Sequence, residues 1–204
     1  MIAIVDYGLG NINAIYTVFN NLNIPVVIAS TSAQLEKCDK IILPGVGAFD
    51  YAMSKLSKSG MRDTLDKLVI NDKKIVLGIC VGMQMLTKCS EEGSGSGLAW
   101  IDAEVKKFDQ NKFEKKISIP HMGWNNIIVQ KNNPLLKGFE SEAFFYFLHS
   151  YYCETNSKNN ILSLTKYGHE FASAINCGNI FGVQFHPEKS HDSGIKLLKN
   201  FSEL

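Results

Sequence analysis

A Gly-x-Cys-x-Gly motif at residues 78–82 contains the side chain with the clearest chemical potential. An apolar run of strand length, residues 74–79, leads into the motif, and apolar residues with helical spacing follow it. A cysteine on such a strand-to-helix turn adopts a strained backbone, and flanking glycines leave room for it. At a helix start, unpaired N–H groups favour a thiolate and an oxyanion. The motif predicts a nucleophile elbow carrying Cys80; the alternative is a buried structural cysteine.

A histidine and an acid follow a second apolar strand, predicted at residues 180–185. His186 and Glu188 are separated by one proline. On extended backbone both side chains leave on the same side, so the carboxylate can orient the imidazole. Cys80, His186 and Glu188 together predict attack on an amide, with His186 as general base, a thioester intermediate and release of ammonia. His149 is a competing base, but no acid follows it at strand spacing, which favours a site-lining or structural role.

A second glycine-rich turn, Pro-Gly-Val-Gly at residues 44–47, follows a strand predicted at residues 40–43. In elbow enzymes the second N–H of the oxyanion hole comes from a separate loop at a strand end. We therefore expect this loop to contribute a backbone N–H to the site. The alternative is an ordinary surface turn.

The elements that must position these residues alternate through the first half of the chain. Helical segments separate four predicted strands, at residues 1–6, 24–29, 40–43 and 74–79. This alternation predicts an α/β fold with a mainly parallel sheet and helices on both faces. Right-handed crossovers bring the strand C-termini to one edge, which is the predicted site. The Gly8-x-Gly10 turn is not a dinucleotide-binding fingerprint, because Asn13 occupies the third glycine position.

The second half of the chain has hairpin-like spacing, which predicts an antiparallel strand extension. A stretch rich in Gly, Ser and Glu, residues 90–97, precedes it and predicts either a mobile loop near the site or a plain linker. A closing amphipathic helix is predicted over residues 192–201, and residues 1–204 are interpreted as one domain. The predicted strands cover residues 103–108, 115–119, 125–130, 143–152, 161–167, 171–176 and 180–185.

Composition narrows the class of protein. The 204 residues are 45% hydrophobic and carry a formal net charge of +1, with no basic cluster, which argues against a nucleic-acid or membrane surface. Five cysteines without Cys-x-x-Cys spacing, and no signal peptide or transmembrane run, favour a reducing cytoplasm. No cluster has metal-ligand spacing, so we expect neither a metal nor a cofactor.

Several motifs together carry a resemblance that spans the whole chain. In these motifs the sequence resembles the class I (triad) glutamine amidotransferases, and specifically the glutaminase subunits of imidazole glycerol phosphate synthase. The resemblance implies a flavodoxin-like core, hydrolysis of L-glutamine to glutamate and ammonia, and a heterodimer in which ammonia passes through a tunnel to a (β/α)₈ synthase partner in histidine biosynthesis. The motifs occupy residues 6–11, 43–49, 78–84, 120–125, 146–152 and 182–190.

The resemblance also assigns roles to individual residues. It makes Cys80 the nucleophile, His186 the general base and Glu188 its orienter. It further implies that the glycine loop turns its N–H inward on partner binding, so the isolated subunit is expected to have low activity. The oxyanion hole is assigned to Val46 or Gly47 and Val81, the glutamine pocket to Gln84, Glu92, Ser150 and Tyr151, and the partner-facing mouth to Asn11, His121, Met122, Trp124 and Lys189.

The sequence departs from the family pattern at two places, and the second leaves the ammonia acceptor open. Val81 replaces the usual leucine after the cysteine, a conservative change that keeps the N–H donor. Residues 97–105 look more like paralogues that supply ammonia for amidination of a bacterial surface sugar. A non-catalytic scaffold subunit and an autonomous cysteine hydrolase are further alternatives. The intact Cys80, His186 and Glu188 set argues against the scaffold, and activity on other amides without a partner would favour the hydrolase.

Overall fold

The computed structural model describes residues 1–112 and 117–204, which form one continuous sheet with helices packed on it. The helix Arg62–Asp66 continues into a π-helical turn at Lys67–Asn71. The strands are β1 Ile2–Val5, β2 Val26–Ala29, β3 Lys40–Gly45, β4 Ile75–Cys80, β5 Ala103–Lys107, β6 His121–Val129, β7 Ala143–His149, β8 Tyr151–Thr155, β9 Ile161–Tyr167, β10 His169–Cys177 and β11 Ile180–Val183. The helices are α1 Ile12–Asn21, α2 Ser32–Glu36, α3 Phe49–Lys58, α4 Arg62–Asp66, α5 Val81–Met85 and α6 His191–Glu203.

The sheet confirms the predicted fold class. Its strand order is β2-β1-β3-β4-β11-β10-β9-β6-β7, with β8 paired to β10 and β5 paired to β8. The pairs among β2, β1, β3, β4 and β11 are parallel, and the remaining pairs are antiparallel. The parallel strands β1 and β11 are buried along their whole length, as expected for strands covered on both faces. Their C-terminal ends share one edge, where the predicted site residues lie.

The helices α1 and α6 each pack one apolar face against this sheet. The helix α1 buries Ile15 and Phe19, and α6 buries Leu197, Leu198 and Phe201. Such i, i+3 or i, i+4 spacing gives each helix one buried stripe. In the described part of the chain, no helix has the length and apolar character needed to cross a membrane.

Three strand predictions were wrong in detail. The last strand, β11, is not part of the antiparallel extension: it lies parallel to β4 and completes the parallel core. It also ends at Val183, two residues earlier than predicted. The strand predicted over residues 143–152 is two strands, β7 and β8, which pair with different neighbours and are separated by Ser150. Of the strand predicted over 115–119, residues 115 and 116 lie outside the described residues, and 117–119 form no strand.

Candidate active site

A cavity of about 470 Å³ opens at the C-terminal edge of the parallel strands. It gathers residues from the ends of β1, β3, β4 and β11 and from the β7–β8 junction. This agrees with the predicted location, where parallel strands end and their connecting loops begin. The lining residues are Asn11, Val46, Gly47, Cys80, Val81, Gln84, Glu92, Pro120, Leu148, His149, Ser150, Tyr151, His186 and Lys189.

Cys80 lies on a strained turn between β4 and α5. Its φ is 55° and its ψ is −114°, a conformation that a non-glycine residue rarely adopts. The surrounding glycines permit a close backbone approach. A Cβ on Gly78 would lie 2.6 Å from the Gly82 carbonyl oxygen, and one on Gly82 would overlap the carbonyl oxygen of Leu43. The elbow can therefore form only because these two positions carry no side chain.

His186 and Glu188 meet, although not by the predicted route. Both follow the end of β11, and residues 187–189 form a 3₁₀ turn rather than extended backbone. The turn brings His186 Nδ1 within 2.8 Å of Glu188 Oε1. Because a carboxylate only accepts, Nδ1 carries the hydrogen of this bond. The other ring nitrogen, Nε2, is left for the contact with Cys80. Asn11 donates to the same Glu188 oxygen at 2.7 Å, so a residue predicted at the partner-facing mouth supports the acid.

Electrostatics in this group favour a protonated imidazole beside a carboxylate. Burial lowers the pKa of His186, but hydrogen bonds and charges from Cys80 and Glu188 outweigh it and raise the pKa to about 10. Burial likewise raises the pKa of Glu188, but the hydrogen bond and charge of His186 and the hydrogen bond from Asn11 hold it below its usual range. His186 is therefore protonated at neutral pH.

The glycine loop after β3 lies directly beside the elbow. Gly45 pairs with Cys80 in the β3–β4 register, and Val46, Gly47 and Val81 line the cavity. The Tyr7 hydroxyl donates to the Pro44 carbonyl at 2.7 Å and fixes the start of this loop. Gly47 has a φ of +82° and open space around its Cα. The loop is thus held at its beginning, and Gly47 carries no side chain that would restrict its backbone conformation.

The four residues predicted to bind glutamine all line the same cavity. Glu92 accepts a hydrogen bond from the Phe49 N–H at 2.8 Å, which ties the 90–97 segment to the start of α3. Asp50 accepts from the N–H groups of Ser94 and Gly95 at 2.9 and 3.1 Å. These contacts contradict a plain linker, because the segment both accepts a hydrogen bond from the start of α3 and donates hydrogen bonds to it.

Gln184 is a site residue that the sequence interpretation missed. It is completely buried, and its Nε2 lies 3.8 Å from Cys80 Sγ. Its Oε1 accepts from Gln84 Nε2 at 3.2 Å. The available signal was a lone amide within the otherwise apolar run of residues 180–185.

His149, the competing base, belongs to a neutral histidine pair. Its Nδ1 lies 2.8 Å from the Tyr151 carbonyl, which can only accept, so Nε2 is the acceptor. His121 Nδ1 must then donate to that Nε2 at 2.9 Å, and Asn125 Nδ2 donates to His121 Nε2 at 3.2 Å. Burial lowers the pKa of His149 to about 3 and that of His121 to about 4. Both rings are uncharged at neutral pH, which fits a structural role.

This pair predicts a loss of stability in mild acid. Below about pH 6.5 the unfolded chain protonates both histidines, whereas the folded chain resists until about pH 4. We expect the free energy of unfolding to fall by at least about 2 kcal/mol between about pH 6.5 and 5. Urea titrations at both pH values measure it. The decline should be shallower in His121→Gln, whereas the exposed His191→Gln is the matched control. Equal slopes in wild type and His121→Gln would contradict the assignment.

The residues predicted at the partner-facing mouth separate into two groups. Met122 and Trp124 are 64% and 48% exposed on β6, and Trp124 stacks on His191. Lys189 lies over the Tyr146 ring at 5.7 Å. His121 is only 2% exposed, so its side chain is not available to a partner in this conformation, because β-strand alternation turns it inward while Met122 faces out.

A comparison with protein families decides the class of this site. The family model "Glutamine amidotransferase class-I" matches residues 3–203. The chain belongs to the class-I glutamine amidotransferases. This amidotransferase is therefore an enzyme with glutaminase activity.

Curated relatives match this amidotransferase over its full length. Imidazole glycerol phosphate synthase subunit HisH of Leptospira borgpetersenii is 50% identical over 204 residues, with 100% of both chains covered. The HisH subunit of Bdellovibrio bacteriovorus is 52% identical over 204 residues, again with 100% of both covered. Imidazole glycerol phosphate synthase subunit HisH 2 of Methanococcus maripaludis is 46% identical, with 98% of each covered.

Solved structures share the fold of this amidotransferase at low sequence identity. A crystal structure described as glutamine amidotransferase has a TM-score of 0.73 at 17% identity, with 99% of each chain covered. PurLQS from Thermotoga maritima has a TM-score of 0.72 at 19% identity, covering 98% of this chain and 95% of that one. At these identities the likeness concerns the fold alone.

Proposed function

We propose that this amidotransferase is the glutaminase subunit of an imidazole glycerol phosphate synthase in histidine biosynthesis, with residues 1–204 forming one glutaminase domain in the cytoplasm. Cys80 is its nucleophile, His186 its general base and Glu188 the residue that orients His186. The arrangement of these three side chains around one cavity carries the proposal. Full-length relatives of about half-identical sequence, named as subunits of that synthase, support the pathway.

The geometry supports a two-step reaction through a thioester. The Cys80 sulfur attacks the amide carbon of glutamine, forming a C–S bond while the carbonyl electron pair moves onto oxygen. Collapse breaks the C–N bond, and the proton held on His186 transfers to the departing nitrogen as ammonia leaves. Neutral His186 then takes a proton from water, which attacks the thioester and releases glutamate. Glu188 stabilises the imidazolium whenever His186 carries the proton.

Backbone N–H groups stabilise the oxyanion in this scheme. Val81 follows the nucleophile at the start of α5 and supplies the first N–H. Val46 or Gly47 supplies the second from the adjacent loop. Because a glycine at position 47 does not restrict the backbone, we propose that partner binding selects the loop conformation with its N–H turned inward.

Glutamine occupies the rest of the cavity. Both hydrogens of the Gln84 amide are used, toward Tyr151 and Gln184, so its oxygen is the group left to accept from the substrate. Glu92 supplies a carboxylate that suits the α-ammonium group of an amino acid. Ser150 and Tyr151 complete the wall at the junction of β7 and β8.

The partner, a (β/α)₈ synthase subunit in a heterodimer, binds the outer face of the β6–β7 hairpin in this proposal. That face carries Met122 and Leu148 opposite each other, followed by Trp124 opposite Tyr146. Leu148 also lines the cavity, so the exposed apolar face is continuous with the site. An exposed apolar patch of this kind marks an interaction surface.

Met122→Lys tests this surface. An ammonium group placed among apolar contacts loses hydration without gaining a partner, so we expect the dissociation constant for the synthase subunit to rise about 30-fold. Isothermal titration calorimetry measures the change. Ile70→Lys is the matched control, because Ile70 is 39% exposed but lies just before β4, at the opposite end of the sheet. Equal affinities of Met122→Lys and wild type would refute the placement.

Glutamate release tests the whole proposal. The wild-type chain is assayed with glutamine alone, with a co-encoded (β/α)₈ synthase subunit, with that subunit and its ligand, and with a sugar-modifying enzyme in place of the synthase subunit. We expect low release alone and a large increase in the complete mixture, since the oxyanion loop requires the partner. Equal release with and without the partner would refute a partner-gated subunit, and activation only by a sugar-modifying enzyme would assign the ammonia to surface-sugar amidination.

A further inference from the structure

Gln184 is a completely buried amide to which the proposed reaction gives no role. It lies between β11 and His186, with buried Val183 and Phe185 on either side. A buried polar side chain is costly unless its hydrogen-bonding groups are satisfied. Here the amide oxygen contacts Gln84 and the amide nitrogen contacts Cys80. Contacts with Gln84 and with the Cys80 sulfur thus offset the free-energy cost of burying this amide.

The orientation of this amide follows from a backbone carbonyl. The Tyr151 carbonyl can only accept, so the Gln84 nitrogen, at 3.2 Å, must face it. The same nitrogen lies 3.2 Å from Gln184, which must therefore present its oxygen there. With its oxygen fixed against Gln84, Gln184 turns its nitrogen toward Cys80 Sγ at 3.8 Å. The reverse orientation would oppose two donors.

We propose that Gln184 is a positioning residue for Cys80, whose amide N–H holds the sulfur toward the cavity and favours its thiolate form. The proposal rests on the proposed function, in which Cys80 is the nucleophile. A donor strengthens its bond when the acceptor becomes an anion. The Leu148 carbonyl, 3.8 Å from the same sulfur, can only accept and so favours the thiol. The amide N–H of Gln184 acts in the opposite direction, because a donor favours the thiolate.

Other titratable groups lie beside the sulfur or in the same cavity and must stay constant in a test. Substitution of Gln184 leaves all of them in place, so a change in the thiolate population reports the amide contact. The groups that interact with the sulfur are Tyr7 after β1, Cys153 on β8 and His186 after β11. Those nearby are Glu188, which is hydrogen-bonded to His186, and His149, Glu92 and Lys189 in the cavity wall.

The test is the pH dependence of Cys80 alkylation in the full-length chain. Iodoacetamide reacts with the thiolate, so its rate between about pH 5 and 9 follows the thiolate population. Peptide mass spectrometry separates Cys80 from the exposed Cys89 and Cys177. In Gln184→Met we expect the midpoint to move up by about one pH unit, equivalent to about tenfold slower alkylation below it. In Gln184→Glu the upward shift should be larger, because a carboxylate faces the sulfur.

A matched control and a second variant keep the result decisive. Ser173→Ala removes a completely buried 2.9 Å hydrogen bond to Ser163 without altering a side chain at Cys80, and should leave the profile unchanged. If Gln184→Met does not fold by circular dichroism, Gln184→Leu decides, because it also removes the amide without adding a charge. Profiles of folded Gln184 variants that coincide with wild type would overturn the positioning role. If Cys80→Ala still hydrolyses glutamine, the proposed function fails instead.

Discussion

Cys80→Ala should reduce partner-activated glutamate release by about 10⁴- to 10⁶-fold, the scale seen when a catalytic nucleophile is removed. The reason is that no other described thiol lines the cavity: Cys38 and Cys153 are buried outside it, and Cys89 and Cys177 are exposed elsewhere. The fold should be retained, since alanine loses only the small Sγ and relaxes no packing beyond the elbow. A coupled assay for glutamate measures the loss.

The matched control is Cys177→Ala, an exposed cysteine at the turn between β10 and β11. Its glutamate release should equal that of wild type. Binding of the synthase subunit should also be unchanged in Cys80→Ala, which separates chemistry from assembly. Cys80→Ala that keeps more than about a tenth of wild-type turnover would exclude the thioester route.

Gly82→Ala should destabilise the protein by about 3 kcal/mol, the upper range for an added methyl group in a packed interior. By helix propensity alone this change would stabilise α5 by about 1 kcal/mol. Sterics decide the sign, because the new Cβ would overlap the carbonyl oxygen of Leu43, which belongs to the backbone of β3 and has no rotamer to escape. Separating α5 from β3 also moves the glycine loop, so glutamate release should fall at least about 100-fold.

Guanidinium titration gives the free energy of unfolding for this variant. Ser54→Ala, an exposed position in α3, is the control for helix propensity and should be at least as stable as wild type. Unchanged stability of Gly82→Ala would show that β3 and the elbow do not pack as closely as described.

Local signals in the sequence were enough to predict the elbow and the edge of the sheet that carries it. Glycine at positions 78 and 82 reflects a steric requirement within a few residues, and alternating strands and helices determine where parallel strands end. His186 and Glu188 were also identified by spacing. Their contact, however, depends on a 3₁₀ turn, because the strand ends at Val183.

The features that could not be predicted from the sequence depend on contacts between residues far apart in the chain. The residues around β11 carry no signal for its parallel pairing with β4, because hairpin spacing predicts only antiparallel pairing with nearby strands. The burial of His121 beside the exposed Met122 depends on which face of β6 meets the core. The hydrogen-bonded path from Tyr151 through Gln84 and Gln184 to Cys80 joins three separate parts of the chain. Only the fold brings these groups together.

Mass spectrometry can identify the residue that carries the covalent intermediate. The wild-type complex, turning over glutamine with the synthase subunit and its ligand, is quenched in acid, which slows thioester hydrolysis, and its peptides are analysed by mass spectrometry. We predict that the Cys80 peptide gains the mass of glutamine minus ammonia, and that hydroxylamine removes it. Continued ammonia release with this adduct on another residue, or with no adduct after rapid quenching, would contradict the assignment of Cys80 as nucleophile.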